Sequence, residues 1–224
     1  VMLAVLAACG GAEGPGGERG PVIGSRPQSL QFAEAPALQP GGTAKVSATA
    51  SSGLAVRYNS STTGICTVDA DSGEAVAEKE ADVSIYPASM TKVMTAILAL
   101  EANPDLEQPV TLPEDIFPEV RAEGASMAGF RPGETATVRD LLYGALLPSG
   151  AECCEALARE VSGSEKAFVE LMNQKAAELG MRSTHFCNPT GLHDPEHVST
   201  VRDMARLLRA AMQNENFRAI LSAR

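Results

Sequence analysis

Two serines and a lysine carry the clearest capacity for chemistry in this chain. Ser89 and Lys92 stand three residues apart in the run Pro87-Ala88-Ser89-Met90-Thr91-Lys92. On a helix that spacing puts both side chains on one face, with Cβ atoms roughly 5–6 Å apart. A serine hydroxyl becomes a nucleophile when a neighbour removes its proton, and a lysine amine does so when burial or nearby positive charge lowers its pKa. Ser149, in Leu147-Pro148-Ser149-Gly150, offers a second hydroxyl. All three histidines, His185, His193 and His197, crowd with Cys187 into a short downstream run, and these are residue types that can bind zinc.

The elements around these residues predict how they are held. A strand running to Ala70, a tight turn at Asp71-Ser72-Gly73 and a second strand lead into a helix that Pro87 introduces, where a missing N–H costs nothing. Val93, Met94, Ile97, Leu98 and Leu100 make that helix apolar on most sides, which predicts a central, buried helix and a dry setting for Lys92. Its N-terminus adds partial positive charge where an oxyanion would develop. Leu141 to Leu147 reads as a helix ended by Pro148, with Ser149-Gly150 an exposed turn before a helix from Glu152 to Val161. Further amphipathic helices run from Ser164 to Leu179, closed by Gly180, and from Thr200 to Met212. On the helix after Ser149, Cys153 and Cys154 point about 100° apart, so at most one of them faces inward with ease.

Three stretches together resemble the low-molecular-weight penicillin-binding proteins, the serine D-alanyl-D-alanine carboxypeptidases. They are VDADSGEAVAEKEADVSIYPASMTKVMTAILALE, GASMAGFRPGETATVRDLLYGALLPSGAECCEALA and THFCNPTGLHDPEHVSTVRDMARLL, in the order the family has them. The resemblance covers about residues 63 to 224 and implies a β-lactamase/penicillin-binding-protein-like α/β sandwich with a helical subdomain. It implies that Ser89 is the acyl-ester nucleophile, Lys92 the general base and Ser149 a proton relay. Ser126 and Gly150 fall where substrate contact is implied. The His185 to His197 run falls on a structural turn of the family near its cleft, which implies no metal; no cofactor is expected either. The cysteines have two open readings: a bridge from Cys153 or Cys154 to Cys187, or small buried residues.

The chain departs from the family in two places. Ala151 stands where the family has an asparagine, so re-tuned or weakened acylation is expected. The family's Lys-Thr/Ser-Gly strand has no counterpart, because after Ser149 the only lysines are Lys166 and Lys175. The fold is therefore expected to be incomplete, C-terminally truncated with its last sheet strands missing, and the piece alone to lack a complete oxyanion hole and expose apolar surface.

Composition limits the rest. With 18 Lys+Arg against 28 Asp+Glu the net charge is −10, which argues against nucleic acid as a partner. At 44% hydrophobic and 21% charged the chain is globular, and five cysteines are too few for a disulfide scaffold of this length. The opening VMLAVLAACGG resembles the end of a bacterial lipoprotein signal, with Leu6-Ala7-Ala8-Cys9 as its lipobox and Cys9 as the acylated residue; the alternative is a buried N-terminal strand. Residues 10 to 27, rich in Gly and Pro, read as a tether. Alternation such as Ala44, Val46, Ala48 and Ala50, then Leu54, Val56 and Tyr58, makes 28–62 a strand-rich spacer that resembles part of a bacterial immunoglobulin-like repeat.

The expected organisation is a signal remnant and tether over 1–27, the spacer over 28–62, and a partial D,D-peptidase domain over 63–224. The expected activity is carboxypeptidase action on peptidoglycan pentapeptides ending in D-Ala-D-Ala, inhibited by β-lactams, in an extracytoplasmic lipoprotein held to the membrane by a lipid anchor and serving cell-wall synthesis and cell shape. The alternatives are a β-lactamase-type acyl-serine hydrolase on the same fold and a non-catalytic wall-binding surface lipoprotein.

Overall fold

The computed structural model describes residues 2–8, 30–32, 48–50, 62–69, 72 and 75–223. Two compact units divide the chain, one of residues 7–63 and one of residues 1–6 with 64–224. In the smaller unit, β2 (Leu30–Phe32) pairs antiparallel with β3 (Ala48–Ala50), Leu30 opposite Ala50. Ala44, Val46, Leu54, Val56, Tyr58 and the tether lie outside the described residues.

β1 (Met2–Ala8), β4 (Thr62–Asp69) and β5 (Ala75–Lys79) form a sheet in that order. The N-terminal apolar run is thus a strand here, and Cys9 lies outside the described residues. β4 and β5 are antiparallel, with Ile65 opposite Lys79 and a register shift between Thr67 and Val68. The chain then turns and Ile85 bridges Ser199 through reciprocal N–H···O bonds of 2.8 and 2.9 Å. Arg202 braces the same approach by forking onto Glu78 and Asp82. Bidentate guanidinium–carboxylate pairs fix direction as well as distance, so the segment entering the serine turn is held at both ends.

A 3₁₀ turn at Ala88–Met90 opens directly into α1 (Thr91–Ala102). Around α1 pack α3 (Val138–Leu146), α4 (Ala151–Ser162), α5 (Glu165–Glu178), α6 (Val201–Ala211) and α7 (Glu215–Leu221). Met94, Ala96, Ile97, Ala99 and Leu100 are buried, as an apolar helix without a polar face must be. A short helix, α2 (Phe117–Ala122), and a two-stranded sheet of β6 (Pro109–Thr111) and β7 (Thr135–Thr137), with Val110 opposite Ala136, complete the subdomain. Phe117, Phe168, Phe186 and Phe217 are fully buried, each contributing roughly 1.5–3 kcal/mol relative to exposure.

Helix ends follow cap chemistry more closely than the hydrophobic pattern. Thr137 and Asp140 form a reciprocal capping box that starts α3 at Val138, three residues before the expected Leu141, and α3 ends at Leu146, two residues ahead of Pro148. Ser164 and Thr200 are N-caps that accept backbone N–H from Ala167 and Asp203, so α5 and α6 begin one residue later than expected. Cys153 and Cys154 are both fully buried, which corrects the expectation that at most one thiol faces inward and agrees with the reading of both as small buried residues. The reason is that α4 contacts α1, α3 and α5 and has little free surface in its first two turns. Among the described residues no helix is long and apolar enough to cross a membrane.

Candidate active site

Ser89, Lys92 and Ser149 meet. The Ser149 hydroxyl donates to Ser89 Oγ at 2.8 Å, and Lys92 Nζ lies 3.4 Å from the same oxygen. Ser89 is exposed on its 3₁₀ turn, whereas Lys92, in the first turn of α1, is buried. The step from the 3₁₀ turn into α1 thus places the Ser89 hydroxyl in solvent reach and the Lys92 amine in the dry interior. Burial pushes the Lys92 pKa below its ordinary value, opposed by Cys154, Cys153 and Glu152. A depressed pKa makes the neutral amine, the form that can take a proton from Ser89, more abundant near neutrality.

Strained backbone presents the two hydroxyls. Ala88 has φ +48° and Ser149 φ +66°, both in the left-handed region that non-glycine residues rarely adopt. Such residues cost on the order of 1–3 kcal/mol each and persist only where neighbours over-determine them. At Ser149 the neighbours are visible. Gly150 N–H donates to Gly144 O at 2.8 Å, and Ala151 N–H to Ser126 O at 2.8 Å.

At Ala88 the constraint comes from residues 188–192. Asn188 Oδ1 accepts from Thr190 N–H, Thr190 Oγ1 and Gly191 N–H at 2.8–3.2 Å, and its Nδ2 donates to Leu192 O. This side-chain-knotted turn offers two carbonyls to α1: Thr95 Oγ1 donates to Pro189 O at 2.6 Å, and Lys92 Nζ donates to Thr190 O at 2.5 Å. Gly191, at φ +81°, lets the turn touch the Ala88 carbonyl; a Cβ there would stand 1.9 Å from that oxygen. The turn therefore holds the lysine and the peptide that precedes the serine together.

The histidines are structural. His197 Nδ1 accepts the Cys187 N–H at 3.2 Å, which leaves the proton on Nε2 to donate to Thr91 Oγ1 at 2.8 Å. Burial pushes His197 down to about 4. His193 packs edge-on against Tyr86, with ring centroids 4.8 Å apart, and His185 Nδ1 contacts Glu196 O. Among the described residues no group of three or more His, Cys, Asp or Glu side chains could hold a metal ion. Cys153, Cys154 and Cys187 are free thiols, so no bridge joins them; Cys153 and Cys154 are buried and Cys187 is half-buried. Burial and Asp194 push Cys187 up to about 11.

Ser126 is exposed, and its carbonyl is tied to α4. Gly150 is buried, with Ala128 and the Gly144 carbonyl occupying the space a Cβ would need. Three features were beyond the sequence reading: the Thr190 carbonyl on Lys92, the Thr91–His197 pin, and the direction of Glu152. Glu152 turns inward, fully buried, and Oε1 accepts N–H from Ala128 at 2.7 Å and Gly129 at 2.9 Å.

Comparison with known proteins gives one consistent result. The family described as D-alanyl-D-alanine carboxypeptidase matches residues 51–221. The chain is similar to D-alanyl-D-alanine carboxypeptidase DacF of Bacillus subtilis, 36% identical over 149 residues, and to DacC of Escherichia coli, 39% identical over 155 residues. Each alignment covers 66% of this chain and 38% of the relative, so the chain spans well under half the length of either protein. Among solved structures it is similar to a Streptomyces DD-transpeptidase, with TM-score 0.65 and 34% identity over 68% of this chain and 61% of the other. Penicillin binding protein 6B from Escherichia coli superposes with TM-score 0.66 at 30% identity, over 70% and 51% of the two chains. The fold is thus that of the penicillin-binding DD-peptidases, and the chain belongs to the D-alanyl-D-alanine carboxypeptidase family.

Proposed function

We propose that the full-length protein is a serine D-Ala-D-Ala carboxypeptidase that works through an acyl-enzyme on Ser89. The observation that carries this reading is the convergence of Ser149 Oγ and Lys92 Nζ on Ser89 Oγ. Neutral Lys92 takes the Ser89 proton as the oxygen attacks the carbonyl of the D-Ala-D-Ala bond. Ser149 passes a proton to the departing amine, free D-alanine leaves, and an ester remains on Ser89. Water then hydrolyses the ester with the same lysine as base. A β-lactam undergoes the same attack, but its opened ring stays attached, so it blocks the serine.

The substrate is the D-Ala-D-Ala-ending pentapeptide of peptidoglycan, which places the protein outside the cytoplasm. Anchoring through a lipid on Cys9 rests on the lipobox-like Leu6-Ala7-Ala8-Cys9, with residues 10–27 as tether, 28–62 as spacer and 63–224 as the peptidase portion. The testing experiment measures D-alanine released from a D-Ala-D-Ala pentapeptide by the full-length protein and its Ser89→Ala variant. Release abolished by the substitution is expected. Sustained turnover of penicillin without D-alanine release would mark a β-lactamase, and wall binding with neither activity a non-catalytic adhesin.

A further inference from the structure

α3, α5, α6 and α7 open on Thr137, Ser164, Thr200 and Asn214, each of which accepts a backbone N–H of the first turn on its side-chain oxygen. The start of α1 has no such cap. Neither Pro87, which opens the 3₁₀ turn of Ser89, nor Met90, which opens α1, makes a side-chain cap bond. The helix start that bears both Ser89 and Lys92 is therefore fixed from outside, and the φ of +48° at Ala88 makes that fixing more necessary.

Gly191 supplies one hold, against the Ala88 carbonyl ahead of Ser89. The second falls on Thr91, two residues after Ser89 and directly before Lys92. Thr91 is fully buried, and its Oγ1 lies 2.8 Å from His197 Nε2. His197 is itself held on three sides. Its Nδ1 accepts the Cys187 N–H at 3.2 Å, its backbone N–H donates to Asp194 O at 3.0 Å, and its ring meets Phe186 edge-on with centroids 5.6 Å apart. The segment behind the imidazole is anchored to α5, because Asn173 Oδ1 accepts the Phe186 N–H at 2.9 Å and Asn173 Nδ2 donates to Phe186 O at 2.8 Å. Reciprocal backbone bonds between His185 and Val198, at 2.9 and 3.0 Å, close the same segment beside His197. Bonded contacts thus run from α5 through Phe186, Cys187 and His197 to Thr91.

The neutral imidazole suits both ends of this link, accepting at Nδ1 and donating at Nε2. Burial, which pushes His197 down to about 4, keeps it in that form near neutrality.

We propose that His197 is a positioning residue of the acyl-serine site, which through its Nε2–H···Oγ1 bond to Thr91 sets the first turn of α1 so that Lys92 Nζ reaches Ser89 Oγ. The inference rests on the acyl-serine reading above and deepens it. His197 acts through Thr91 and takes no proton in the reaction.

The test measures acylation of the full-length protein by benzylpenicillin in Thr91→Val, Thr91→Ser, His197→Asn and the double variant of Thr91→Val with His197→Asn, at a temperature where each is folded. Thr91→Val keeps the shape and removes the acceptor, while the asparagine is too short to reach Thr91. Each of these two is expected to acylate about tenfold or more slowly than wild type, since a misplacement of about 1 Å is worth on the order of a hundredfold in rate. The double variant is expected to be no slower than the slower single one, because both substitutions remove the same bond. Thr91→Ser keeps the hydroxyl and is expected near the wild-type rate. A folded Thr91→Val at the wild-type rate, a Thr91→Ser as slow as Thr91→Val, or losses that multiply in the double variant would overturn the inference. A packing role alone predicts lower unfolding temperatures with unchanged rates, and if His197→Asn does not fold, the valine and serine variants decide. Absence of acylation in the wild type would instead defeat the reading of Ser89 on which the inference stands.

Discussion

Gly191→Ala should disable the site by displacing the peptide that leads into Ser89. The added Cβ would stand 1.9 Å from the Ala88 carbonyl oxygen, and real Cβ atoms essentially never come within 3.0 Å, so the peptide ahead of Ser89 must move by about 1.1 Å. An L-residue at φ +81° costs about 1–2 kcal/mol, and overpacking adds about 1–3 kcal/mol. The sum, about 2–5 kcal/mol, corresponds to a fall in melting temperature of about 4–20 °C for a chain of this size. Because the displaced peptide leads into Ser89, the chemical loss should exceed the loss in stability: a misplacement of about 1 Å is worth on the order of a hundredfold in rate. Gly180→Ala is the matched control, with φ +71° and nothing within 4 Å of its added Cβ. It should lose only the backbone term, about 1–2 kcal/mol, and be acylated normally. The assay is the rate of labelling by a fluorescent penicillin in full-length protein, with thermal unfolding in parallel. A folded Gly191→Ala labelled at the wild-type rate would refute the claim that the 188–192 turn positions the nucleophile.

Three further expectations concern charge, the departure at residue 151 and the N-terminus. Ala151→Asn is expected to raise the rate of penicillin acylation, and an unchanged or lower rate would refute the expectation that the alanine weakens acylation. Stability against pH should carry two opposed slopes. His197, lowered to about 4 from 6.5, contributes stability that is complete above pH 6.5 and lost as pH falls toward 4, an upper bound of about 3 kcal/mol. Burial raises Glu155 from 4.5 to about 8, so its contribution is complete below pH 4.5 and lost as pH rises toward 8. Urea unfolding across pH 4–9 should therefore show Glu155→Gln gaining stability relative to wild type as pH rises to 8, and His197→Asn flattening the acid side; parallel profiles would contradict both assignments. Finally, Cys9→Ala should abolish metabolic labelling by a fatty acid, and labelling that survives would remove the anchor at that residue.

What could be read in advance divides by range along the chain. Ser89, Lys92 and their apolar helix are local: spacing and periodicity within a dozen residues put the hydroxyl and amine side by side, and the 3₁₀ turn bearing Ser89 and the first turn of α1 bearing Lys92 bring them within 3.4 Å. Ser149 needed only a turn between two helical patterns. The contacts that hold these groups are long-range. Gly191 against Ala88 and Thr190 against Lys92 join residues about a hundred positions apart, and neither has a local signature beyond a glycine and a threonine in an Asn-Pro-Thr-Gly turn. Glu152 was undirected in sequence because an acid near a helix start is ordinarily solvated, and only the loop laid across α4 shows that it points inward. Both thiols of the Cys153–Cys154 pair are buried for the same reason, since the number of neighbours around α4 is a property of the packed bundle.

The claim at the centre of this account is that Ser89 is the acylated residue. Incubation of the full-length protein with benzylpenicillin, followed by intact mass and peptide mapping, tests it directly. One penicilloyl adduct on the peptide containing Ser89, absent from Ser89→Ala, is the predicted result. An adduct on any other residue, or one that survives Ser89→Ala, would contradict it.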